Sequence, residues 1–267
     1  MPFDAANPVA SAPPQNRAGD FWAIYDALGT DLDPAVRIEG FAAGLHWFGV
    51  RAGGSVGFAM SPREGHDSPS RAGRVAGAPL DEIARLARSW NLADAALGVA
   101  ALNAYHNQSA RLRDWLERSG EVAHEANAFA HFRPRLAGKR VAVVGHFRGL
   151  ERLGETCELT ILERRPQPGD VPDPACEVVL PQSDYVFITA TTLINKTLPR
   201  LLALSRGAFV VLVGPTTPLT PVWFDLGVHA IAGLSVDDVP GVWRIVQEGG
   251  KHEIFEHGGR LVLIERS

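Results

Sequence analysis

The stretch Arg140–Phe147, RVAVVGHF, carries the clearest structural signal in the chain, because it is an apolar run that leads into a glycine. A second apolar run, Leu159–Leu162, is followed by Glu163, which lies 18 residues after Gly145. Two such runs, one ending in a glycine and one in an acid, are typical of a doubly wound parallel sheet. The pattern therefore predicts a ligand pocket at the carboxyl ends of the first two strands.

The glycine spacing of this stretch does not identify the ligand. The next glycine after Gly145 is Gly149, which gives G-x-x-x-G, whereas the pyrophosphate loop of dinucleotide-binding proteins has G-x-G-x-x-G. This spacing does not leave the backbone amides of the loop accessible to a diphosphate. We predict a Rossmann-like sheet and do not favour NAD or FAD as its ligand.

Composition and charge exclude several classes of protein. The chain has 267 residues, of which 46% are hydrophobic and 21% are charged, as in ordinary globular proteins. Its net charge is −4 and its arginines are scattered, so we expect neither nucleic acid nor an anionic membrane as a partner. No apolar run reaches the roughly 18 residues that a membrane span needs.

The cysteines and the amino terminus indicate a compartment. Cys157 and Cys176 cannot form a disulfide framework and lie outside any C-x-x-C pair, so a reducing cytoplasm is expected. Residues 1–19 lack the basic start and the continuous apolar core of a signal peptide, and we predict that they form a disordered leader. The sequence leaves open whether the chain forms a homo-oligomer.

The first half after the leader, residues 20–110, has the pattern of a small α+β domain. In chain order we predict a helix over 21–28, antiparallel strands at 37–41, 45–51 and 55–61, a loop over 62–78, and helices from 79 and over 92–107. Asn91 is a candidate cap for the last of these helices. That helix is rich in small residues, so another element must approach it closely. Connecting helices are predicted over 111–137, with helical pattern from Trp115 to Leu136.

The second half, residues 138–267, alternates regularly between strands and helices. We predict strands at Val141–Val144, Leu159–Leu162, Tyr185–Thr189, Ala208–Val213 and Val228–Ala232, with Leu261–Ile264 as an edge strand. Helices are predicted at Leu193–Ser205, Pro221–Leu226 and Asp238–Gln247. Such alternation gives a parallel sheet through right-handed crossovers. The proline-dense segment 166–174 should run over the rim of the sheet.

Two side chains at the first two strand ends are candidates for ligand contacts. His146 could ligate a metal or accept a proton, although a packing or capping role is equally compatible, because no second histidine or cysteine lies at ligand spacing. Glu163 occupies the place of a ribose-binding acid in nucleotide-binding sheets. Its alternative role is an ion pair with Arg164 or Arg165 on a solvated rim.

Hydroxyl and amide side chains follow the next two predicted strands. Thr191, Thr192 and Asn195 join the third strand to a helix, where they could bind an anion or merely cap the helix. Thr216 and Thr217 lie in a rigid turn that serves either as a ligand loop or as a purely structural turn. The neighbouring residues Gly145, Phe147, Gly214 and Pro215 complete the candidate ligand site in the loops.

Asn103 lies within an otherwise apolar helix. Its amide must find hydrogen-bond partners in the neighbouring domain or in a ligand. The chain has no G-x-S-x-G elbow, P-loop, H-E-x-x-H or C-x-x-C motif. No motif therefore supports a function as a hydrolase, an NTPase or a zinc protease.

Several blocks of the second half, taken in order, resemble the heavy-metal chelation domain family. They are Val144–Phe147 (VGHF), Leu162–Arg164 (LER), Thr191–Leu198 (TTLINKTL) and Leu212–Leu219 (LVGPTTPL). The segment Gly98–Ala104 (GVAALNA) is similar to the family's joining segment. The resemblance implies a Rossmann-like carboxyl-terminal domain preceded by a small domain that resembles the amino-terminal domain of enolase. It also implies a role in handling a heavy-metal ion or a metal chelate.

Two functions follow from these observations. In the first, the protein binds a divalent transition metal or a small metal chelate in the interdomain cleft, with His146 as the metal ligand. In the second, it is an enzyme with a nucleotide-like, adenosine-containing cosubstrate, and Glu163 contacts the ribose. The scarcity of cysteine and clustered histidine argues against a tight soft-metal site built from side chains alone. It argues less against a chelator that already carries its metal. Whether a reaction is catalysed stays open.

Overall fold

The computed structural model describes residues 21–64 and 68–266, so the predicted leader and three residues of the predicted loop over 62–78 lie outside the described residues. The strands are β1 Ile38–Ala43, β2 Trp47–Ala52, β3 Ser55–Met60, β4 Ala123–His124, β5 Arg140–Val144, β6 Glu158–Glu163, β7 Val171–Pro172, β8 Tyr185–Thr189, β9 Phe209–Val213, β10 Ala230–Val236 and β11 Gly259–Glu265. The α-helices are α1 Ala23–Gly29, α2 Leu80–Ala84, α3 Leu92–His106, α4 Ser109–Ser119, α5 Ala128–Phe132, α6 Glu151–Gly154, α7 Cys176–Val179, α8 Leu198–Leu204, α9 Val222–Asp225 and α10 Val239–Gln247. None of the helices in the described ranges combines the length and the apolar character that crossing a bilayer requires.

The first half contains a three-stranded antiparallel sheet, β1-β2-β3, that packs on the long helix α3. Asn91 caps this helix as predicted, since its Oδ1 accepts hydrogen bonds from the amides of Ala93 (2.9 Å) and Asp94 (3.0 Å). The small residues of α3 allow the close approach that the sequence requires. A Cβ on Gly57 of β3 would lie 1.9 Å from the amide nitrogen of Ala104, so strand and helix touch backbone to backbone.

The second half contains an eight-stranded sheet with the order β4-β11-β10-β9-β8-β5-β6-β7. The strands from β10 to β7 are parallel, and β11 and β4 add antiparallel pairs at one side. In chain order the parallel strands run third, second, first, fourth, fifth, sixth, which is the order of doubly wound sheets. The predicted fold class, a small α+β unit followed by a parallel-sheet α/β unit, is confirmed.

Four predicted elements after residue 110 differ in detail from the structure. The helical pattern from Trp115 to Leu136 is interrupted, because Gly120 adopts φ +72° and ends α4. The chain then forms β4, which pairs with β11, so the segment Leu261–Ile264 is not an edge strand. The predicted rim segment 166–174 contributes the edge strand β7. The predicted helix from Leu193 begins only at α8, since a 3-10 turn and a residue at positive φ precede it.

The two halves share one hydrophobic core. Leu97 and Leu102 of α3 belong to the same buried cluster as Ile188 of β8 and Leu212 of β9. A second cluster joins Phe58 of β3 to the layer formed by β10 and α10. The carboxyl ends of the parallel strands therefore face the end of β3, which positions the site described below. The boundaries 20–110, 111–137 and 138–267 stay predictions.

Candidate ligand-binding site

A cavity of about 1030 Å³ lies at the carboxyl ends of β5, β6, β8 and β9. The first half closes one side of it with Trp47 and the segment 60–64. The start of α5 and the segment 251–256 form other parts of the wall. The volume is at the upper end of the range for small-molecule sites, and placement at the strand ends is that of ligands in doubly wound sheets.

Most of the sequence-predicted site residues line this cavity. Those in the wall are Gly145, His146, Phe147, Glu163, Thr191, Thr192, Asn195, Gly214 and Pro215. They come together because four parallel strands end at the same edge of the sheet. Asn103, Thr216 and Thr217 do not belong to the wall among the residues that the structure describes.

The His146 side chain is held by a carboxylate that the sequence analysis did not identify. Its Nδ1 lies 3.0 and 3.2 Å from the two carboxylate oxygens of Asp170. Asp170 is only 2% exposed, whereas the imidazole is 26% exposed. An ionised carboxylate can only accept, so Nδ1 donates to it, and in the neutral imidazole Nε2 is then the nitrogen with the lone pair. Nε2 makes no hydrogen bond with any described residue and is left for a ligand.

Asp170 is itself fixed by the turn in which it lies. The amide of Gln167 donates to its carboxylate (2.9 Å), and its own amide donates to the carbonyl of Gln167 (2.9 Å). A buried carboxylate that orients an imidazole by one ring nitrogen is the arrangement by which proteins prepare a histidine as a metal ligand. In this arrangement Asp170 orients the imidazole through Nδ1 and leaves Nε2 without a partner among the described residues.

Glu163 binds backbone amides instead of arginine side chains. Its Oε2 accepts from the amide of His146 (3.0 Å), and its Oε1 accepts from the amides of Arg164 (2.8 Å) and Arg165 (3.2 Å). The Arg164 guanidinium pairs instead with Glu64 of the first half, at 2.9 Å. Both oxygens of Glu163 are thus engaged in joining the loops after β5 and β6.

The hydroxyl and amide side chains at the end of β8 and in the turn after it form hydrogen bonds with one another and with the local backbone. Thr192 donates from Oγ1 to the carbonyl of Thr189 (2.6 Å), and the hydroxyls of Thr189 and Thr191 lie 3.0 Å apart. Asn195 Oδ1 accepts from both the amide (3.1 Å) and the hydroxyl (2.7 Å) of Thr197. The predicted capping role of Thr191, Thr192 or Asn195 is therefore wrong: Thr189 caps the 3-10 turn by accepting from the amide of Thr191 (3.4 Å), and α8 begins after Thr197 without a side-chain cap.

Asn103 and Thr216 connect the two halves instead of facing a ligand. Asn103 Nδ2 donates to the carbonyls of Phe58 (2.6 Å) and Thr216 (3.0 Å), and the amide of Met60 donates to Thr216 Oγ1 (3.1 Å). Both side chains are buried, as is Thr217. Their predicted place in the site is therefore corrected: these polar groups join β3 and α3 to the loop after β9.

Lys196 is a site residue that sequence reasoning missed. It is 5% exposed, lies in the cavity wall and adopts φ +68°, an uncommon conformation for a residue with a side chain. Its Nζ donates to the carbonyls of Leu193 (3.3 Å) and Ile194 (2.9 Å) and lies 5.3 Å from the centre of the Tyr25 ring. No described carboxylate pairs with it, and burial lowers its pKa to about 8.

The lowered pKa predicts a pH dependence of stability. The unfolded lysine keeps its proton up to about pH 10.5, whereas the folded one loses it near pH 8, so stability should rise with pH between these values. We expect wild type to gain about 2–3 kcal/mol relative to Lys196→Met from pH 8 to 10.5 in urea denaturation. The exposed control Lys139→Met should show a constant difference from wild type. Parallel curves for Lys196→Met and wild type would disprove the buried charge.

The cavity holds few metal ligands of its own. No group of three or more histidine, cysteine or acidic side chains in residues 21–64 and 68–266 is arranged to hold a metal ion. Cys176 lies in the wall, but burial raises the pKa of its thiol to about 11, so it is protonated at neutral pH. Of the two histidines in the wall, His146 and His252, only His146 is oriented by a carboxylate within the described residues.

Comparison with known proteins agrees with this architecture. The family described as "Putative heavy-metal chelation" matches over residues 127–265 and again, through a second model, over residues 25–106. An uncharacterized protein of Methanocaldococcus jannaschii is 30% identical over 198 residues, which cover 70% of this chain and 71% of that protein.

Two crystal structures of proteins of unknown function from the DUF364 family are also similar. The one from Desulfitobacterium hafniense is 37% identical, with a TM-score of 0.85, and the match covers 92% of this chain and 99% of that one. The one from Pyrococcus horikoshii is 22% identical, with a TM-score of 0.78 and coverage of 91% and 100%, and it shows the shared fold. The resemblance found in the sequence is thus confirmed, and the chain belongs to the family described as "Putative heavy-metal chelation".

Proposed function

We propose that the protein binds a small metal chelate in the cavity and that His146 Nε2 supplies one ligand to the metal. The observation that carries this proposal is the His146–Asp170 pair, in which the buried carboxylate holds Nδ1 and leaves Nε2 without a partner among the described residues. A neutral imidazole so oriented is a good ligand for divalent transition metals.

The donor set favours a chelate over a bare ion. One imidazole leaves most coordination positions of a transition metal empty, and no described group of three ligands is present to fill them. A chelator that occupies those positions and leaves one or two open would complete the coordination. The cavity of about 1030 Å³ is large enough for such a small molecule.

A second function is supported by the strand order. Doubly wound sheets bind nucleotides at their strand ends, and the parallel strands here have the same order. An enzyme with an adenosine-containing cosubstrate would place a ribose on Glu163. Both oxygens of Glu163 already accept backbone hydrogen bonds, however, so metal-chelate binding is the better supported function.

The free thiols Cys157 and Cys176 suit the reducing cytoplasm that we propose as the location of the protein.

Isothermal titration calorimetry with nickel–nitrilotriacetate as the probe, on protein without a histidine tag, tests this function. We expect His146→Ala to abolish measurable binding in the cavity and Asp170→Asn to weaken it about 10–100-fold, because the asparagine orients the imidazole less well. Wild-type affinity should fall as the pH is lowered, since a proton competes with the metal for Nε2.

The matched control is His257→Ala, an exposed histidine outside the cavity wall. This variant should bind the probe as wild type does. Unchanged binding by both His146→Ala and Asp170→Asn would contradict the proposed function. If Glu163→Gln then abolished binding of an adenosine-containing compound, the enzyme would replace the chelate-binding protein as the better interpretation.

A further inference from the structure

Several charged side chains of the cavity wall form ion pairs with one another. Arg164 pairs with Glu64 (2.9 Å), and Arg200 pairs with Glu177. Arg148 is different, since its guanidinium makes no ion pair or hydrogen bond with any residue in 21–64 or 68–266.

The ammonium group of Lys251 is likewise without a partner in these ranges, although its backbone is held firmly. Its carbonyl accepts from Trp47 Nε1 (2.9 Å), and its amide donates to Glu253 Oε2 (2.7 Å). The amide of His252 donates to the same oxygen (2.9 Å). These bonds fix the segment that presents the Lys251 and His252 side chains at the cavity wall.

Both cations act on one imidazole at this wall. Burial lowers the pKa of His252, and the charges of Arg148 and Lys251 lower it further, whereas the carboxylate of Glu253 raises it. His252 Nε2 is buried and has no partner among the described residues. Two loops that lie far apart in the sequence thus bring two cations and an imidazole with an unpaired nitrogen to the cavity wall, and no acid in the described ranges forms an ion pair with either cation.

We propose that Arg148 and Lys251 form an anion subsite that binds a carboxylate or phosphate group of the chelate whose metal is bound by His146. Cations at a cavity wall that form no ion pair of their own attract an anionic group. Arg148 lies two residues after His146 on the same loop, so one ligand can contact both. This inference rests on the proposed function and adds to it that the chelate is anionic.

A pair of nickel chelates that differ in charge tests the subsite. Nickel–nitrilotriacetate carries charge −1, whereas nickel–tris(2-aminoethyl)amine carries +2, and both are tripodal with two open metal positions. We expect wild type to bind the anionic chelate more tightly. The double variant Arg148→Gln/Lys251→Gln should weaken binding of the anionic chelate about tenfold in calorimetry and leave the cationic one within about twofold.

The double variant Lys139→Gln/Arg152→Gln removes two exposed cations outside the cavity wall and should bind both chelates as wild type does. An equal change for the two chelates in Arg148→Gln/Lys251→Gln, or no change, overturns the subsite. The variant His146→Ala separates the proposed function from the subsite. If His146→Ala loses binding of both chelates while Arg148→Gln/Lys251→Gln changes the binding of neither, the proposed function is retained and the subsite alone is rejected. Competition by succinate against inorganic phosphate identifies which anionic group the subsite prefers.

Discussion

The substitution Asn107→Leu should lower the free energy of unfolding by about 4 kcal/mol. Asn107 is 2% exposed, and its Nδ2 donates to the carbonyls of Thr217 (3.0 Å) and Leu234 (3.1 Å). Its Oδ1 accepts from the amide of Leu219 (2.7 Å). Leucine has similar volume but leaves these three buried backbone groups without partners, and each unsatisfied group costs about 1–3 kcal/mol.

The matched control is the next residue in the chain. Gln108 is partly exposed and makes one side-chain bond, from Nε2 to the carbonyl of Ala104 (3.1 Å). Gln108→Leu should therefore cost less than about 1 kcal/mol in urea denaturation. Equal effects of the two substitutions would mean that Asn107 does not hold the two halves together.

Replacing Gly57 by valine should lower the free energy of unfolding by more than about 4 kcal/mol or prevent folding. A Cβ at Gly57 would lie 1.9 Å from the nitrogen of Ala104 and 2.3 Å from the carbonyl oxygen of Ala100. Both atoms are helix backbone and cannot move aside as a side chain can. Strand β3 would have to separate from α3, which also breaks the bond from Asn103 to Phe58.

Gly207→Ala provides the comparison for this prediction. A Cβ at Gly207 would meet no atom within 4 Å, and the residue is not at positive φ. Its thermal unfolding midpoint should stay close to that of wild type, whereas that of Gly57→Val should fall sharply or no cooperative transition should remain. A stable Gly57→Val protein would show that β3 and α3 do not pack as closely as the structure indicates.

The sequence predicts the parallel strands well for a physical reason. Strands buried on both faces are short apolar runs bounded by turn residues, and that signal identified β5, β6, β8, β9 and β10. The two-residue strands β4 and β7 give no such run, because they are held by pairing with β11 and β6 instead of by burial. Periodicity therefore could not find them.

In the candidate site, too, the sequence predicts the features that depend on local pattern and misses those that depend on tertiary contacts. The position of His146 at a strand end follows from local sequence, since topology brings the carboxyl ends of parallel strands together. Its partner Asp170 lies in a proline-dense segment, where no local pattern indicates a contact with a loop 24 residues earlier. Asn103 could be predicted to need partners, but only the packing of α3 decides that they are backbone carbonyls of the protein. The positive φ of Lys196 has no local signature either, because glycine or asparagine is the usual residue there.

The central claim, that His146 coordinates the metal of a bound chelate, can be tested directly by anomalous diffraction at the nickel absorption edge. Crystals of the untagged protein would be soaked with nickel–nitrilotriacetate and compared with crystals of His146→Ala treated in the same way. We expect a peak about 2.1 Å from His146 Nε2 in the wild-type cavity and none there in the variant. A peak in the cavity that persists in His146→Ala, or nickel bound in wild type only outside the cavity, would contradict it.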